Sequence, residues 1–166
     1  AIYHDVGKAE NPLFFIENQL PGNIDTHDEL DPAVSAEIII KHVSDGVKLA
    51  KKYHIPTAIQ HFIVEHHGTM ITKYQYSKAL QLSSSAINID CFRYPGPKPQ
   101  SNETAILLLA DGCEAKVRAE LPSTDEELSK IIGEVFASAL HSGQLEDTKL
   151  TLNDLKRLQD SFKTTL

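Results

Sequence analysis

Helix-start signals recur along this chain, and no segment alternates apolar and polar residues over the length a strand requires. Asp31-Pro32 sets a capping acid before a proline at the first helical position. From there Val34, Ile38 and His42 recur at four-residue steps and predict one helical face. Ser44-Asp45 reads as a second start, for a helix to about Tyr53 with Val47 and Ala50 inward. Pro56 opens the next, whose stripe of Ile59, Phe62, Ile63 and His66 turns His66 inward, and residues 70–82 are amphipathic. Ser101 precedes a helix holding Ala105, Leu108, Leu109 and Asp111. Thr124 and Glu127 have capping-box spacing before a helix ending near Gly143, and a last helix spans about Leu152 to Phe162. Residues 1–8 read as the tail of a helix stopped at Gly7. A polar loop with an apolar patch, Phe14-Phe15-Ile16, runs to about Asp31. In the long connection over 83–100, Pro95, Pro97 and Pro99 fix an extended path. The expected architecture is all-α, a helical bundle of six or seven helices.

Composition narrows the function classes. The chain has 166 residues, enough for one domain with a sizeable core. Its longest uninterrupted apolar run, Ala105 to Ala110, is six residues, where a membrane-spanning helix needs ~20. The opening Ala-Ile-Tyr-His-Asp lacks the pattern of a signal peptide. A net charge of -7 argues against a DNA or RNA duplex as partner, which calls for a basic stripe. Two cysteines, Cys91 and Cys113, are too few for a disulfide framework and fit a reducing compartment.

The eight histidines carry more information. His4-Asp5, His42, His66-His67 and Asp111 each fall where the apolar pattern places the interior or its rim. A buried ionised carboxylate costs several kcal/mol even after relaxation, so Asp111 calls for a cation. Imidazole with carboxylate suits iron, manganese or zinc, and such a set could hold two metals bridged by one carboxylate. Asp5, beside His4, is the natural bridge. Singly, each residue has a plainer reading: an inward histidine as a hydrogen-bonded core residue, Asp111 as a cap or a partner of Arg118. Together, four histidines and two aspartates on inward helical positions favour the metal. His27, His54, His61 and His141 lack such placement and read as surface or loop histidines.

The order His-Asp, His, His-His, Asp resembles the HD-domain phosphohydrolase superfamily. Within it the chain is similar to the cytoplasmic HD domain of the seven-transmembrane-receptor HD hydrolases, the PgpH-type cyclic di-AMP phosphodiesterases. The matching words are Tyr-His-Asp-Val-Gly-Lys (3–8), Phe-Phe-Ile-Glu-Asn-Gln (14–19), His-Val-Ser-Asp-Gly-Val (42–47), Glu-His-His-Gly-Thr (65–69), Phe-Arg-Tyr-Pro-Gly-Pro-Lys-Pro (92–99) and Leu-Ala-Asp (109–111). The resemblance implies one HD phosphohydrolase domain over 1–166, lacking a first helix that in the family carries a further histidine ligand. It implies two divalent ions, iron or manganese, held by His4, Asp5, His42, His66, His67 and Asp111. The expected reaction is hydrolysis of cyclic di-AMP to linear pApA by a metal-activated water.

Asp5 and Lys8 are the expected catalytic residues. Lys8 would steady a phosphate oxygen as a point charge, its plainer reading being a solvated helix-end lysine. Arg93 and Lys98, the cations of the proline-rich loop, would bind substrate, and Tyr94 would stack on a base. The plainer reading of that loop is a rigid strap. Competing expectations are an HD phosphohydrolase for another nucleotide, such as a dNTP or (p)ppGpp, and a metal-stabilised nucleotide-binding domain without turnover. The resemblance further implies the cytoplasmic domain of a bacterial inner-membrane receptor, joined to the membrane through preceding segments, with a homodimer as a possible assembly.

Overall fold

The computed structural model describes residues 2–15, 18, 27, 30–83 and 86–166. Ile16 of the expected apolar patch, Glu17 and Gln19 of the word at 14–19, and Ala1 lie outside the described residues. Among the described residues there are six α-helices and no strand, with one isolated antiparallel bridge between Ile71 and Arg93. The chain divides into two compact units, Ala1–Val64 with Thr69–Gly96, and Glu65–Gly68 with Pro97–Leu166.

In the first unit, helix α1 runs unbroken over Pro32–Lys52. Its start follows the sequence signal: the Asp31 carboxylate accepts from the N–H of Ala33 at 2.8 Å and of Val34 at 3.4 Å. The second start expected at Ser44-Asp45 is not used. Ser44 Oγ donates back to the Lys41 carbonyl at 3.0 Å and Asp45 takes Lys48 Nζ at 2.8 Å, so both cap-forming side chains find partners inside the helix. The inward stripe is rotated from the expected one. Ser35, Ala36, His42, Val43, Gly46 and Ala50 are buried, while Val34 is 46% exposed.

His4-Asp5 do not close a helix. Residues 2–5 form a turn, and Val6–Glu10 is a short 3-10 helix in which Gly7 is buried rather than a stop. The reason is a close backbone approach: a Cβ on Gly7 would lie 1.9 Å from the His42 carbonyl oxygen and 2.5 Å from the Gly46 nitrogen. Only glycine allows this contact, and it seats the His4-Asp5 turn on α1 at the level of His42.

Helix α2, Thr57–Glu65, buries Ile63, and α3 is Lys73–Leu82. Ala36, Ala79 and Phe92 form a core cluster, with Tyr76 edge-on to Phe92 at 5.4 Å. The proline-rich segment is strapped down by its first residues. Thr72 N–H donates to the Phe92 carbonyl at 2.8 Å, and Tyr94 N–H donates to the Met70 carbonyl at 2.8 Å.

The second unit holds α4 (Asn102–Glu120), α5 (Asp125–His141) and α6 (Leu152–Thr165). Ser101 caps α4 with a reciprocal box: its Oγ accepts from Thr104 N–H, and Thr104 Oγ1 accepts from Ser101 N–H. Half of the box expected at Thr124 and Glu127 forms. Thr124 accepts from Glu127 N–H at 3.2 Å, but the Glu127 carboxylate turns to the N–H and hydroxyl of Ser123. Leu109, Cys113, Ile132 and Phe136 are buried, and Phe136 meets Phe162 of α6 edge-on at 5.7 Å. Burial pushes the Cys113 thiol up to about 12. Cys91 and Cys113 are both free.

Candidate metal centre

In the first unit, three of the expected ligands meet on one carboxylate. His4 Nε2 lies 3.4 Å from Asp5 Oδ2, and His42 Nε2 lies 3.3 Å from Asp5 Oδ1. The His42 side chain is 1% exposed. Its Nδ1 bonds the Ile39 carbonyl at 2.5 Å. A carbonyl only accepts, so Nδ1 carries the proton, and a neutral ring turns the Nε2 lone pair toward Asp5. Two acceptors then face one another, a conflict that a proton or a cation relieves. A backbone-anchored imidazole is the arrangement metal-binding histidines use. A carboxylate with a nitrogen donor beside each oxygen suits a divalent ion, so these residues fit one.

Aromatic rings wall His42. Phe15 stands edge-on at 5.8 Å and Tyr94 at 6.2 Å. Lys8 Nζ is 2.7 Å from Asp5 Oδ2 and 5.1 Å from the Phe15 ring centre. It is therefore held against the carboxylate, not loose at a helix end, and the ring favours its charge. Phe15 has no chemical signature of its own in the sequence, since its role depends on a fold that brings it beside His42.

In the second unit, His66 and His67 occupy the turn after α2, their ring centres 4.0 Å apart. His66 is fully buried. His67 Nδ1 lies 3.7 Å from Asp111 Oδ2 on α4, beyond hydrogen-bond reach and compatible with a shared cation. Arg118, the alternative partner for Asp111, pairs with Glu114 at 2.9 Å. A buried carboxylate to which the sequence pattern assigns no role of its own, Glu65, precedes the pair. Its Oε2 accepts from Gln100 N–H at 2.8 Å and from Thr104 Oγ1 at 2.6 Å.

The expected substrate contacts divide. Arg93 donates through Nε to Asp90 at 3.1 Å and through Nη1 to the Thr69 carbonyl at 3.0 Å. Lys98 Nζ donates to Glu146 at 3.0 Å. Both cations thus have local structural work. Tyr94, the expected base-stacking ring, is 7% exposed and stands edge-on to His42 at 6.2 Å. His27 is a correction. It is buried, not a surface histidine: Nδ1 is 2.7 Å from Ser35 Oγ, and Nε2 bonds the Phe14 carbonyl.

The HD domain family matches residues 1–116, a stretch that contains all six expected ligands. The chain belongs to the HD domain family. This HD domain is 41% identical over 166 residues to the uncharacterized protein slr0104 of Synechocystis, a match to 97% of the chain and 20% of that protein. It is 40% identical over 167 residues to the cyclic-di-AMP phosphodiesterase PgpH of Bacillus subtilis, covering 100% of the chain and 23% of that protein. The chain thus spans about a fifth of the length of the curated relatives it matches. Among solved structures, this HD domain is similar to that of Listeria monocytogenes phosphodiesterase PgpH, with a TM-score of 0.90 at 37% identity, covering 98% of this chain and 76% of that one. The same Listeria HD domain in complex with cyclic-di-AMP gives a TM-score of 0.92 at 37% identity, covering 98% and 75%. No helix among the described residues is long and apolar enough to cross a membrane.

Proposed function

We propose that this HD domain hydrolyses cyclic di-AMP to the linear dinucleotide pApA as the cytoplasmic part of a bacterial inner-membrane protein. The observation that carries the reading is its likeness, at 37% identity and a TM-score of 0.92, to a PgpH HD domain solved with cyclic-di-AMP bound. The proposed ligands of the metal centre are His4, Asp5, His42, His66, His67 and Asp111, with Asp5 as the bridge and iron or manganese as the two ions. When bound, the ions supply charge neutralisation at phosphate oxygens and an acidified water.

The chain's own groups do the rest. The Ile39 carbonyl holds the His42 ring in one tautomer, and Phe15 and Tyr94 keep water from its faces. Lys8, steadied by Asp5 and Phe15, gives a positive charge to a non-bridging phosphate oxygen. Arg93, anchored through Nε and Nη1, offers its remaining edge to a second phosphate, and Lys98 is the further substrate-binding cation.

Incubation of the chain with cyclic di-AMP and Mn2+ or Fe2+, with products separated by chromatography and weighed by mass spectrometry, tests the reading. Appearance of pApA that chelator abolishes is the expected result. Intact substrate at saturating metal, or equal product from Asp5→Ala, overturns it.

A further inference from the structure

Glu65 is 2% exposed, and no step of the proposed chemistry uses it. One of its oxygens takes two hydrogen bonds from the start of α4, the Gln100 N–H and the Thr104 hydroxyl. Thr104 Oγ1 is the same atom that closes the capping box with Ser101. Gln100 in turn donates through Nε2 to Asp147 at 3.0 Å, so the segment that grips Glu65 is itself tied down. The other flank of the histidine pair is held as well. Gly68 has a φ of +51°, and a Cβ there would lie 2.2 Å from Oε1 of Gln144, which is 1% exposed. Gly68 N–H closes the turn onto the Glu65 carbonyl at 3.0 Å. Two neighbours of the pair, one on each side, are thus locked to the unit that carries Asp111.

We infer that Glu65 is a positioning residue: its carboxylate registers the His66-His67 turn against the first turn of α4, and so sets His67 opposite Asp111. This rests on the metal-centre reading given above. It differs from that reading because Glu65 offers no ligand; it fixes where two ligands stand. A hydrogen bond from a hydroxyl and one from a backbone N–H to a single buried oxygen hold direction as well as distance, and groups that orient metal-binding histidines cost about 10–100-fold in affinity when removed.

The test compares the parent chain with Glu65→Ala, Glu65→Gln and Thr104→Val, each melted without metal and then titrated calorimetrically with Mn2+ at a temperature where it is folded. Glu65→Ala is expected to weaken Mn2+ binding about tenfold or more, and Thr104→Val about threefold, while Glu65→Gln, whose carbonyl oxygen still accepts both bonds, stays near the parent. The ring resonances of His66 and His67 in the metal-free protein are expected to shift in Glu65→Ala and to hold in Glu65→Gln. Should Glu65→Ala fail to fold, Thr104→Val carries the comparison. Unmoved ring resonances with parent-like affinity in a folded variant overturn the positioning role while leaving the metal centre in place. A parent chain that binds no Mn2+ overturns the metal-centre reading, and the inference falls with it.

Discussion

Gly7 lies against the His42 carbonyl so closely that an added methyl would stand 1.9 Å from that oxygen. The contact joins the turn that carries Asp5 to the helix that carries His42. Gly7→Ala must push the two apart, and overpacking of this kind costs about 1–3 kcal/mol. The expected outcome is a lower melting temperature together with weakened Mn2+ binding. A variant that melts and binds like the parent would mean that the turn has other ways to reach His42.

Asp5 is approached by His4, His42 and Lys8 within 3.4 Å. Asp5→Ala is expected to remove bound metal, read by elemental analysis, and to bring hydrolysis down to the buffer level. His141→Ala, on the exposed end of α5, is the matched control and should keep parent metal content. A loss of only a few-fold in activity at saturating metal would rule out a bridging role for Asp5.

Arg93 is anchored at two of its three guanidinium nitrogens. Arg93→Ala is expected to weaken cyclic di-AMP binding by about 1.5–3 kcal/mol, the range of a charge-assisted hydrogen bond, with metal content unchanged. Calorimetry with the nucleotide and elemental analysis read the two halves separately. An unchanged Kd would assign Arg93 wholly to strapping its loop onto residues 69–72.

The two thiols should separate cleanly. Cys91 is exposed, whereas Cys113 is buried with its thiol pushed up to about 12. A thiol reagent at neutral pH is expected to label Cys91 alone, since the thiolate is the nucleophile, and Cys113 only after denaturation. The raised value has a stability counterpart. The folded state favours the neutral thiol, so this contribution is complete below the unfolded value near 9.0 and disappears as pH climbs through about 12. The melting advantage of the parent over Cys113→Ala should therefore shrink across that window.

The helix starts at Asp31, Ser101 and Thr124 were legible because capping is local: an oxygen, a few N–H groups and a spacing suffice. Ser44-Asp45 carried the same local signature and misled, because Lys41 and Lys48 satisfy those side chains within a continuing helix. The histidines and aspartates of the candidate centre were legible by residue type and order. His27 and Tyr94 were not: their burial against Ser35 and His42 depends on partners distant in sequence, which composition does not report. Glu65 was hidden for the same reason. Beside two histidines it reads as one more helix-end carboxylate until Thr104 and Gln100 are brought to it.

The tetrapeptide Glu65–Gly68 is packed with chain that follows Pro97, not with its immediate neighbours in sequence. This imposes an order of events on synthesis. A ribosome that has released His66 and His67 has not yet made Gln100, Thr104 or Gln144, the residues that hold their turn. During that interval the turn that carries the histidine pair lacks these partners. Any truncation that stops before Gln100 would leave the same pair permanently in that early condition.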